Sequence, residues 1–232
     1  MSASDAFTTL AQRLAPAGAP REPSEAFCYV ALGDSFTAGT GCAPGEAWAD
    51  RLAAALGSTR SPVGYCNLAS DGATSTDVLE GQVGVALQLE PDLVTLVCGA
   101  NDVLRSVRPD VDGYRARFAA SLDRLCAGVP GARILTATSP ETWRFLELRS
   151  RTRARVVRGI RAVNEATRTV ARERGVPCLE VVGHPGLDEP ENFSADGLHP
   201  SRRGHARAAV EFARAIESSF GLESSITREE RA

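Results

Sequence analysis

Five short apolar runs recur along the chain, at Phe27–Leu32, Val63–Leu68, Leu93–Cys98, Arg133–Ala137 and Cys178–Val182, each ended by Gly, Ser, Thr or Asp. Runs of this length predict buried strands. Between them lie longer segments whose apolar residues recur at helical spacing: Gly45–Leu56, Thr76–Leu89, Val111–Ala127, Arg144–Arg174 and Arg202–Phe220. Strands alternating with helices predict a parallel sheet covered on both faces. Right-handed crossovers narrow this to one flavodoxin-like, doubly wound α/β domain with a five-stranded sheet. The domain is expected over residues 27–222. Residues 1–26 read as an N-terminal extension with a short amphipathic stretch, Ala6–Leu14, and a Pro/Gly linker. Residues 223–232 read as a loose, charged tail.

Composition sharpens this picture in two places. With 232 residues and 43% hydrophobic content, the chain can fill one sizeable core. It has no lysine, and its 26 basic residues are all arginine, spread along the sequence against a net charge of −3. A basic stripe for nucleic acid is therefore not expected. The richest stretch, Arg149–Arg174, places Val156, Ile160, Val163 and Val170 at near-helical spacing, which reads as a solvated amphipathic helix. No segment reaches membrane-spanning length, and the N-terminus lacks an apolar core of signal-peptide length. The expectation is a cytoplasmic monomer without membrane insertion. Six cysteines (28, 42, 66, 98, 126 and 178) show no metal spacing and read as free thiols. No metal or cofactor is expected.

Candidate chemistry sits at the predicted strand ends. Gly33-Asp34-Ser35 closes the first strand, where a small-residue turn can lift a hydroxyl clear of the backbone. Near the C-terminus stands Asp196-Gly197-Leu198-His199-Pro200, in which a carboxylate three residues before an imidazole can fix its tautomer. His184, with Asp188 nearby, is the second candidate for the base, whereas His205 falls among arginines inside the last helix. The segments after the second and third strands, Asn67 to Thr74 and Val97 to Asp102, offer hydrogen-bond donors. The N–H of Gly72, the amide of Asn101 and the N–H of Ser35 could together hold a developing oxyanion. Each block, taken alone, is equally an ordinary turn. Trp143, Phe145 and Phe193, with Trp48, are candidates for lining a substrate pocket.

The four blocks Gly33-Asp34-Ser35, Asn67 to Gly72, Gly99-Ala100-Asn101-Asp102 and Asp196-Gly197-Leu198-His199-Pro200, in this order, resemble the SGNH hydrolases, also called GDSL esterases/lipases. The resemblance runs from about Tyr29 to about Ala209. It implies Ser35 as nucleophile, His199 as general base, Asp196 as its orienting acid, and Ser35, Gly72 and Asn101 as oxyanion donors. The serine lacks the Gly-x-Ser-x-Gly elbow of ordinary α/β-hydrolases. Asp34 and Asp102 are read as scaffolding that accepts backbone N–H bonds. The activity so implied is hydrolysis of small-molecule carboxylic esters through an acyl-serine. The alternatives are an acyltransferase using the same acyl-serine on a sugar or natural-product hydroxyl, and a non-catalytic carbohydrate- or lipid-binding module. A phosphate-binding protein is disfavoured, because the first loop has no lysine and Asp34 would repel the anion.

Overall fold

A computed structural model of the chain describes residues 26–59, 63–141 and 145–229. The strands are β1 (Phe27–Gly33), β2 (Val63–Asn67), β3 (Leu93–Val97), β4 (Arg133–Ala137) and β5 (Cys178–Leu179). They form one parallel sheet in the order β2-β1-β3-β4-β5. The helices are α1 (Ser35–Ala38), α2 (Trp48–Gly57), α3 (Ser75–Asp77), α4 (Val83–Gln88), α5 (Ala100–Leu104), α6 (Val111–Gly128), α7 (Ser150–Glu173), α8 (Arg202–Phe220) and α9 (Ser225–Glu229). A π-helical turn, Val78–Gln82, joins α3 to α4.

Side-chain alternation along β1 explains why helices cover both faces. Cys28, Val30 and Leu32 belong to one apolar cluster with residues of α6 and α7, among them Tyr114, Phe118, Leu122 and Val163. Tyr29 and Ala31 belong to the opposite cluster, with Trp48 and Leu52 of α2 and Phe212 and Ile216 of α8. Burying each large side chain contributes about 1.5–3 kcal/mol, so a strand apolar at every position requires a layer on either side. The strand order reverses direction of growth at β1, and β3 lies on its other flank. The C-terminal ends of β1 and β3 thus border the crevice where open α/β sheets bind ligands.

The expected elements stand with four local differences. The segment predicted as one helix over Thr76–Leu89 is broken by the π turn. α7 begins at Ser150 rather than Arg144, because Leu146 and Leu148 are drawn onto the core while the Phe145 carbonyl lies against Gly197. β5 stops at Leu179 because the Thr138 hydroxyl accepts the N–H of Val181 (2.9 Å) and Glu180 accepts that of Val182 (3.1 Å), replacing the ladder. The chain end is not loose from residue 224: Ser224 is buried and exchanges hydrogen bonds with Thr227, and α9 packs on α8.

Candidate active site

Gly33 ends β1 with φ 149°, and a Cβ there would lie 2.1 Å from the carbonyl oxygen of Val97, so only glycine lets the two strand ends close up. Asp34 then caps α1, its Oδ1 accepting the N–H of Phe36 at 3.1 Å. That leaves Ser35 as the first helical residue, nearly buried, at the crevice. The turn is held from outside as well. The Gln82 amide bonds both backbone groups of Gly33, accepting its N–H and donating to its carbonyl, each at 2.8 Å. Asn67 at the end of β2 donates to the Thr37 carbonyl at 2.8 Å.

The second turn arrives from the far end of the chain. A bridge between Phe193 and Pro200 and the bond from Ser194 N–H to the His199 carbonyl (2.8 Å) close it. Asp196 Oδ1 accepts the Ser194 hydroxyl and the N–H groups of Leu198 and His199, at 2.7, 2.8 and 3.0 Å. Its Oδ2 lies 2.6 Å from His199 Nδ1. His199 Nε2 lies 2.9 Å from Ser35 Oγ. Partial burial of Asp196 opposes its ionisation, but the bonds from His199, Leu198 and Ser194 outweigh it and hold the carboxyl well below the usual range. The ionised carboxylate makes Nδ1 the donor and turns the Nε2 lone pair toward the hydroxyl.

Gly72, at φ 73°, and Asn101 stand across a pocket of about 170 Å³ that Ser35 and His199 also line, with Phe36, Leu104 and Leu198 as apolar walls. Asn101 Nδ2 gives one hydrogen to the Ala73 carbonyl (3.0 Å), leaving its second N–H for the pocket. Arg105 holds the Gly72 carbonyl at 2.7 Å. The five residues singled out as nucleophile, base, acid and donors are thus brought together. Asp102 accepts the N–H of Ser75 at 2.9 Å and pairs with Arg117, tying α5 to α3. Asp34 is buried; desolvation, with the charges of Asp102 and Asp71 and against the bond from Phe36, raises its pKa from 3.8 to about 7.

The other histidines lie elsewhere. His184 Nδ1 accepts the N–H of Gly186 (3.1 Å) and its Nε2 faces Glu211 at 3.6 Å. His205 is fully buried, accepts the Trp48 N–H and reaches the Thr40 carbonyl; burial lowers its pKa, as suits a neutral strut. Of the proposed substrate aromatics, Trp143 lies outside the described residues. Phe145 and Phe193 pack on each other with centroids 5.0 Å apart, and neither lines the pocket holding Ser35. Phe193 and Trp48 line a second cavity instead. Among the described residues, no cluster of three His, Cys, Asp or Glu could hold a metal, no helix is long and apolar enough to cross a membrane, and all six cysteines are free thiols.

Gln82, Phe36, Leu104, Leu198 and Arg105 were not singled out from the sequence. Gln82 had a signal: Val78, Gln82 and Ala86 share one helical stripe at i, i+4 spacing, and a polar residue amid buried neighbours requires a partner.

The model of the GDSL-like lipase/acylhydrolase family matches residues 31–207. No curated protein matches the chain. Among solved structures, a lipase/acylhydrolase from Enterococcus faecalis is 23% identical, with TM-score 0.64 over 83% of this chain and 96% of that one. The psychrotrophic esterase EstA from Pseudoalteromonas is 19% identical, with TM-score 0.65 over 84% and 98%. A catalytic mutant of Axe2, an acetylxylan esterase from Geobacillus stearothermophilus, is 18% identical, with TM-score 0.65 over 82% and 94%. At these identities the likeness establishes the shared fold.

Proposed function

The chain belongs to the GDSL-like lipase/acylhydrolase family, and from that premise we propose that it is a serine esterase that cleaves carboxylic esters through an acyl-Ser35 intermediate. The observation that carries this is the hydrogen-bonded series Ser35 Oγ, His199 Nε2, His199 Nδ1 and Asp196 Oδ2, with gaps of 2.9 and 2.6 Å. His199 takes the hydroxyl proton as Oγ attacks the ester carbonyl carbon, and the carbonyl π pair moves onto oxygen. The N–H groups of Ser35 and Gly72 and the Asn101 amide receive that oxyanion. Each such donor in a preorganised site is worth about 2.7–4 kcal/mol of barrier. The tetrahedral intermediate expels the alcohol, which takes its proton from His199. Water then loses a proton to His199 and attacks the acyl carbon, and His199 returns that proton to Oγ as the acyl–oxygen bond breaks, releasing the acid and restoring the Ser35 hydroxyl.

Hydrolysis of p-nitrophenyl acetate tests this reading. The wild-type protein turns the ester over, and Ser35→Ala lowers kcat by about 10⁵–10⁶-fold with an unchanged circular dichroism spectrum. Wild-type turnover retained by the folded Ser35→Ala protein would sink the mechanism.

A further inference from the structure

A second cavity, of about 130 Å³, lies on the α8 side of the sheet beneath the proposed nucleophile and base. Asp34 and Phe36, the two neighbours of Ser35, line it, as does Pro200, which follows His199. Its body is apolar, built from Val97, Leu179, Phe193 and Phe212. Of the polar groups that line it, Arg207 pairs with Glu189 at 2.7 Å, Glu180 with Arg168 at 2.6 Å, and His184 Nε2 stands 3.6 Å from Glu211. Among the described residues, the buried Asp34 carboxyl has no ion-pair partner and Asn192 Oδ1 accepts no hydrogen bond. The lining is nonetheless predominantly apolar, and a hydrocarbon occupant leaves those pairs intact. An apolar cavity of about 150 Å³ accepts benzene, so this one suits a group of about five or six carbons.

Among the described residues, Phe36 is the one apolar residue that lines both this cavity and the pocket containing Ser35. Its ring lies 5.9 Å, centroid to centroid, from the His199 imidazole and packs against the apolar cluster on the α6 and α7 face. Resting on the serine-esterase reading above, we propose that Phe36 is a specificity-determining residue: its ring closes a chamber for a medium-length acyl chain, so that the wild-type acyl-enzyme accepts short acyl groups. An acyl group held on Ser35 ends against Phe36, Leu104 and Leu198. Trimming the ring joins the two spaces and gives a longer chain apolar surface to bury.

The test is the ratio of kcat/KM on p-nitrophenyl octanoate to that on p-nitrophenyl acetate. Phe36→Ala raises this ratio by about 10–100-fold, as burial of several methylenes requires. Adding Ala208→Phe, which fills the cavity from α8, returns the ratio toward the wild-type value. Should Phe36→Ala fail to fold, Phe36→Leu gives a smaller rise in the same direction, about threefold. An unchanged ratio in the folded variant, or a gain that survives Ala208→Phe, overturns the chamber while acetate hydrolysis leaves the esterase reading intact. Failure of the wild-type protein to hydrolyse acetate overturns both.

Discussion

The turn carrying Ser35 is buried and held from outside, whereas the turn carrying Asp196 and His199 stands near the surface and is held largely by itself. Asp34 is 1% exposed, and its neighbours are fixed by Gln82 and Asn67, dozens of residues away in sequence. The Asp196 side chain is 49% exposed, and all its partners lie within three residues. The two carboxylates shift in opposite directions accordingly: burial raises Asp34 to about 7, while hydrogen bonds acting against partial burial lower Asp196. A buried turn fixes where the hydroxyl stands, and a wet, self-bonded turn keeps an ionised acid behind the imidazole. Placement and charge are thus assigned to different parts of the chain.

Substitutions that separate chemistry from stability sharpen this contrast. After Ser35→Ala itself, the largest effect is expected from Asp196→Asn. The amide oxygen can still accept the turn's N–H bonds, but its NH₂ meets His199 Nδ1 and favours the wrong tautomer. Ester kcat falls about 10³–10⁴-fold with only a modest loss of Tm, because solvent screens the half-exposed carboxylate's contribution to stability. A comparable fall in Tm would show that this turn, too, is structural.

Gln82→Leu works in the opposite sense. It leaves the Gly33 N–H without its side-chain acceptor in a buried position, at a cost of about 1–3 kcal/mol, and activity falls only about tenfold as the nucleophile loses its fixed position. Denaturant unfolding beside ester kinetics measures both. Loss of activity at full stability would move Gln82 from positioning into chemistry.

Asp34→Asn, at a residue that stands outside the proposed proton path, tests the sign of the buried carboxyl. A folded-state pKa above the unfolded value means that the native state binds more protons between about 4 and 7. The wild-type protein therefore loses stability as pH rises through that window. Asparagine removes the dependence, so its gain in Tm over wild type is larger at pH 8 than at pH 5. An equal gain at both values would contradict the raised pKa. Asp196, with its lowered pKa, contributes stability above its unfolded value that disappears as pH falls through the acid range.

The same contrast governs what could be read from the sequence. The turn carrying Asp196 and His199 is local, and Asp196-Gly197-Leu198-His199-Pro200 displays its own logic in five letters. The strands and their alternation with helices are equally legible, since each apolar run stands alone. Gln82 acts at Gly33 across 49 positions, and nothing in a predicted helix over Thr76–Leu89 says that its stripe would be interrupted by a π turn to aim one amide at a strand end. Phe36 reads as the residue after a serine and no more, and its place in the lining of two cavities depends on α8, which begins 166 residues later. Phe145 and Phe193 were legible as aromatics near the strand ends but not as partners of each other, because that pairing is set by how Gly197 seats against the Phe145 carbonyl.

The central claim is that the Ser35 hydroxyl is the activated nucleophile of the chain. Treating the folded wild-type protein with an aryl sulfonyl fluoride or a fluorophosphonate, followed by intact-mass and peptide mass spectrometry, addresses it directly. The account predicts one adduct, on Ser35, absent from Ser35→Ala and strongly slowed in His199→Ala. An unmodified protein, or an adduct on another serine with Ser35 untouched, would contradict it.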